Sequence, residues 1–114
     1  MIKVGLFVRL EAKPGKEAEL EKFLRDSLCV VQEEPETIVW FALRLGPSTF
    51  GIFDAFDNEA GRTAHLSGRV AISLMVKAAD LLTHLPAIEK ADILEAKFLD
   101  NYLVKGGAHV KGKS

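Results

Sequence analysis

Ile2, Val4, Leu6, Val8 and Leu10 alternate with Lys3, Gly5, Phe7, Arg9 and Glu11. A strict period of two over these ten residues predicts a strand with one wholly apolar face. Lys13-Pro14-Gly15-Lys16 then breaks the pattern. From about Lys16 to Gln32 the period lengthens, with Leu20, Phe23, Leu24, Leu28 and Val31 three or four residues apart among charged positions. That spacing predicts an amphipathic helix, and Glu17, Glu21 and Arg25 line its wet side. Pro35 follows it, and Thr37 to Leu45 is β-branched and aromatic with apolar residues on both parities. Gly46-Pro47-Ser48 is a turn signal and Thr49 to Phe56 a further strand, so the two strands are expected to form an antiparallel hairpin. Asp57 or Asn58 offers a cap to a helix starting at Glu59. Ser67-Gly68 interrupts that helix, and its second part runs from Arg69 to about Leu82, burying Val70, Leu74, Ala78 and Leu81. The last strand is expected over Ile88 to Phe98.

The order strand, helix, strand, strand, helix, strand is the split βαβ arrangement of ferredoxin-like α+β folds, with a four-stranded antiparallel sheet. The expected domain is 1–98. The tail 99–114 loses regular pattern, carries Lys105, Lys111 and Lys113, and is either a flexible end or an arm that docks on a partner. Two helices cover one face of such a sheet. The other face still carries Phe7, Trp40 or Phe41, and Phe53 or Phe50, and no element remains to cover it. A twofold homodimer whose sheets face each other, a dimeric α/β barrel, is the expected solution.

Composition narrows the class. Hydrophobic residues make up 48% and charged residues 27% of the 114 positions, as in a folded globular chain rather than a disordered one. A net charge of −1 argues against a nucleic-acid or anionic-membrane binder. The longest run without Asp, Glu, Lys or Arg is nine residues, Leu45 to Phe53, against about 20 for a membrane span. With only Val4 to Val8 uncharged near the start, no signal-peptide core is present, and a cytoplasmic protein is expected. The lone Cys29 excludes an internal disulfide and is expected as a buried thiol late in the first helix.

Motifs for chemistry are few. There is no HxxxH or HExxH, so no metal is expected, and no GxGxxG, P-loop or GxSxG. Asp54 and Asp57 flank the end of a strand, but a helix cap and a solvent-facing carboxylate are the plainer account of them. His84 and His109 read as solvated. His65, just before the Ser67-Gly68 break, is either a general base or ligand contact, or a helix histidine bonded to local backbone. Nine aromatic residues exceed what two helices cover. Several therefore line either a dry cavity for a flat apolar molecule, with Arg9, Arg44 and His65 as its polar groups, or a dimer interface.

Lys13-Pro14-Gly15-Lys16-Glu17 after an alternating strand resembles the helix opening of the antibiotic biosynthesis monooxygenase (ABM) family. Phe50-Gly51-Ile52-Phe53-Asp54-Ala55-Phe56-Asp57-Asn58-Glu59-Ala60, followed by His65-Leu66-Ser67-Gly68, is similar to that family's second signature. The resemblance spans residues 2 to 98 and implies a ferredoxin-like dimer. It also implies a monooxygenase without metal, flavin or haem, in which an electron-rich quinol-like or polyphenolic substrate reduces O₂ itself. The protein then supplies deprotonation, a dry cavity and orientation. On that resemblance His65 holds or deprotonates a ring hydroxyl. Phe7, Trp40, Phe53 and Phe56 contact the substrate, and Arg44 steadies an anionic oxygen. Many relatives carry Trp where this chain has Phe56. The haem-degrading branch is not matched, because the first strand lacks Asn and Ile72-Ser73-Leu74-Met75 lacks His. The alternatives are a non-catalytic dimer that binds a small apolar ligand or serves in a stress response, and an O₂-independent isomerase or cyclase.

Overall fold

The computed structural model describes residues 1–99. Its elements are β1 (Val4–Glu11), α1 (Glu17–Val31), β2 (Val39–Arg44), β3 (Thr49–Phe56), α2 (Glu59–Leu66), α3 (Arg69–Leu81) and β4 (Ala87–Asp92). The strands form one sheet in the order β2-β3-β1-β4, antiparallel throughout. This is the expected ferredoxin-like α+β arrangement.

Local chemistry sets the joints. Between β1 and α1 the Lys16 N–H donates to the Lys13 carbonyl at 2.9 Å, and Gly15 takes φ 85°. Pro14 with a positive-φ glycine after it is the requirement of a type II turn. Asn58 caps α2 by accepting from the Gly61 N–H at 2.9 Å. The α2–α3 break falls at Ser67-Gly68, where a β-carbon on Gly68 would meet a Glu34 carboxylate oxygen at 3.2 Å.

Val8 and Leu10 of β1, with Phe50 and Ile52 of β3, face the helices and meet Leu20, Leu24, Leu74, Ala78 and Leu81 in the core, and Leu6 is buried on the same face. Alternation sends Phe7, Phe41 and Phe53 to the opposite face, where they stand in one row across three strands. Phe41 is 52% exposed there. The aromatic rings lie over glycines: a β-carbon on Gly51 would meet the Phe7 ring and Leu45 at 3.3 Å. Trp40 and Phe50 take the helix-covered face, so the open face carries Phe41 and Phe53.

Three expectations are corrected. The last strand ends at Asp92 rather than Phe98, because its partner β1 begins at Val4, which pairs with Asp92. Cys29 and Leu28 are exposed, because α1 buries the narrow stripe Leu20, Leu24, Ser27 and Val31. Asp54 is buried to 1% exposure instead of facing solvent. The tail lies outside the described residues from position 100 onward, including Lys105, His109, Lys111 and Lys113. Among the described residues no helix is long and apolar enough to cross a membrane.

Candidate functional site

His65 lies in the last turn of α2, where the carbonyl end of the helix dipole favours a cation. Its ring is buried at 8% residue exposure and reaches two carboxylates on opposite sides. Nδ1 is 2.7 Å from Oε1 of Glu34, in the connection after α1. Nε2 is 2.9 Å from Oδ2 of Asp54, on the helix face of β3. With both nitrogens protonated, each N–H donates to one carboxylate. Burial pulls the imidazole pKa down, but hydrogen bonding and charge from Asp54, then from Glu34, outweigh it and hold His65 above 6.5. The cluster Glu34–His65–Asp54 therefore favours the protonated imidazole, which donates to a carboxylate on each side. Thr37 Oγ1 also donates to Glu34 Oε1 at 2.7 Å, and the Phe56 ring packs 5.5 Å from the imidazole.

His65 separates two hollows. An outer cavity of about 420 Å³ is bounded by Val30, Pro35, Ala64 and Gly61, with Glu33, Glu34, Glu36 and Arg69 among its polar walls. That volume falls within the range of about 300–1,000 Å³ typical of small-molecule sites. On the Asp54 side an apolar cleft of about 100 Å³ runs between Leu6, Val8, Ile52, Val70 and Leu74. Three buried polar atoms near this cluster lack partners: Glu34 Oε2, Asp54 Oδ1 and Trp40 Nε1. Trp40 and Asp54 sit opposite each other on β2 and β3. A buried polar atom without a partner costs about 1–3 kcal/mol, which a bridging water or a ligand hydroxyl would offset.

The residues singled out from sequence divide by face. His65 and Phe56 meet directly, and Trp40 shares their side of the sheet beside Asp54. Phe7 and Phe53 lie on the open face, away from His65. Arg44 stacks 4.4 Å over Phe50 and donates to Glu21 at 2.7 Å, so its charge is balanced elsewhere. His84 is exposed, as expected. From sequence alone Asp54 reads as a solvent-facing carboxylate, and Glu34 is not singled out. The parity of Asp54 with Phe50, Ile52 and Phe56 signals its burial, whereas nothing local ties Glu34 to His65. Among the described residues no group of three or more His, Cys, Asp or Glu is arranged around a metal position.

No family model matches the chain, and none of the curated proteins matches it. Among solved structures, a protein of unknown function from Nitrosomonas europaea superimposes with a TM-score of 0.85 at 56% identity. The alignment covers 87% of this chain and 96% of that one. The chain belongs to that protein's family. A Caulobacter crescentus protein named provisionally as an antibiotic biosynthesis monooxygenase matches with a TM-score of 0.71 at 21% identity, over 82% of this chain and 92% of that one. A second Nitrosomonas europaea protein with the same provisional name matches with a TM-score of 0.72 at 16% identity, over 81% and 90%. The family is thus ABM-like in fold.

Proposed function

We propose that this ABM-like chain is a cofactor-independent monooxygenase acting on a neutral quinol-like or polyphenolic ring with O₂. The observation that carries the reading is His65, buried between Glu34 and Asp54 in the wall of a cavity large enough for a fused aromatic ring. The substrate supplies all the electrons. A phenolic ring with a reacting C–H takes one O₂ and yields a quinone and one water, so atoms balance without an added reductant. The cluster around His65 supplies deprotonation, which turns the phenol into a phenolate able to reduce O₂, and Val30, Pro35 and Ala64 give the ring an apolar contact surface. The protein works as a cytoplasmic homodimer, with the row Phe7, Phe41 and Phe53 supporting a sheet-to-sheet interface.

Oxygen uptake by metal-free protein against quinols and hydroxylated naphthalenes tests this, with His65→Ala as control. The expected result is uptake above autoxidation that disappears in the variant. No uptake across the panel overturns the reading. One observation favours a second account, a binding protein without turnover: both His65 nitrogens are committed to carboxylates, so the ring has no free lone pair for a substrate proton. Ligand-induced thermal stabilisation without oxygen uptake would select it.

A further inference from the structure

The commitment of both His65 nitrogens leaves open which atom receives a proton, and the outer cavity contains a suitable acceptor. Glu34 uses Oε1 for the His65 ring and the Thr37 hydroxyl, while Oε2 is buried without a partner. Gly68 lines the same cavity and lies so close to Oε2 that any side chain there would press on it. Asp54 stands on the far side of the imidazole, in the small cleft. Glu33, Glu34 and Glu36 share the cavity wall with two basic groups, Arg69 and His65; Arg69 is 3.5 Å from Glu33, and His65 is hydrogen-bonded to both Glu34 and Asp54. An anionic ligand would be repelled by this rim, whereas a neutral hydroxyl donor would not.

We infer that Glu34 is the proton acceptor of the site: it takes the hydroxyl proton of a neutral phenol seated in the outer cavity, while His65, fixed by Asp54, is the positioning cation. The O–H bond of the phenol breaks, its electron pair stays on the ring oxygen, and the proton passes to Glu34 Oε2, which a turn of the carboxylate brings from its buried position to the cavity. This rests on the proposed function only in taking the phenol to be substrate; the recognition itself is independent of turnover.

Binding under argon tests it. The full chain is titrated with 1-naphthol, with 1-methoxynaphthalene, which has no donor, and with 1-naphthoate, which is anionic. The amide resonances of Gly61, Ala64 and Gly68 report occupancy of the cavity. 1-Naphthol is expected to shift these resonances and bind at least about tenfold more tightly than its methyl ether, as a hydrogen bond to a charged acceptor requires. Naphthoate is expected to be weakest. Glu34→Gln should bring naphthol and ether within about threefold of each other, whereas His65→Gln should weaken both and keep the preference. Equal binding of naphthol and ether to the unaltered protein, no binding of naphthol, or a preference that survives Glu34→Gln would each overturn the inference. The comparison in unaltered protein can overturn the inference even where a variant does not fold. Intact hydroxyl preference without oxygen uptake would remove the oxygenase and leave the acceptor in place.

Discussion

Removing the Asp54 carboxylate by Asp54→Ala leaves the buried His65 ring with Glu34 as its one charged partner. At 2.9 Å and an effective dielectric of about 20, the lost attraction is roughly 6 kcal/mol, offset by the desolvation that the two charges no longer suffer. Breaking one side of a buried pair leaves a net loss of about 3–5 kcal/mol. At roughly 4–8 °C per kcal/mol for a domain this small, 3 kcal/mol lowers Tm by about 12–24 °C. Urea unfolding at fixed protein concentration, followed by fluorescence of the sole tryptophan, Trp40, measures it. The loss also has a pH signature. His65 is held above 6.5 in the folded state, so its contribution is complete below 6.5 and disappears as pH rises through the folded value. The gap between the two proteins should therefore be widest on the acid side of 6.5 and narrow at alkaline pH. A loss below about 1 kcal/mol, or a gap independent of pH, would refute the charge-pair account.

Other perturbations probe separate parts of the molecule. Phe56→Ala empties a fully buried site beside His65 and should cost about 3–5 kcal/mol in chemical denaturation. Arg62 is buried and donates to the carbonyls of Gly5 and Ala91 at 3.0 and 3.1 Å, tying β1 to β4; Arg62→Met should cost about 2–4 kcal/mol and raise hydrogen exchange in β4 first. Phe41→Asp puts a charge in the open face, and sedimentation equilibrium should then read the 12.5 kDa monomer with an unchanged far-ultraviolet spectrum.

The sequence made much of the scaffold legible because β1, β3 and the helices each have their own buried stripe. The period of β1, the break at Ser67-Gly68 and the stripe Val70, Leu74, Ala78 and Leu81 are local signals. The end of β4 was not, because alternation continues to Phe98 while the partner strand stops at Val4. Half of the candidate site was legible: His65 stood out as a lone histidine before a helix break. Asp54 was hidden by its position next to a plausible cap, although its parity with Ile52 already placed it inward. Glu34 and the Arg44–Glu21 pair depend on residues 31 and 23 positions apart meeting through the tertiary fold. No spacing rule encodes such meetings.

The Phe7 ring resting on Gly51 has an evolutionary consequence. An added methyl at position 51 meets the ends of two side chains, Phe7 and Leu45, and no backbone atom within 4 Å among its nearest neighbours. Whether alanine is tolerated there thus depends on what occupies position 7. The two positions should form an epistatic pair, with Gly51→Ala deleterious beside phenylalanine and nearly silent beside a shorter residue. Substitutions reaching this face in the order 7 then 51 would avoid the crowded pair, whereas the reverse order would pass through it.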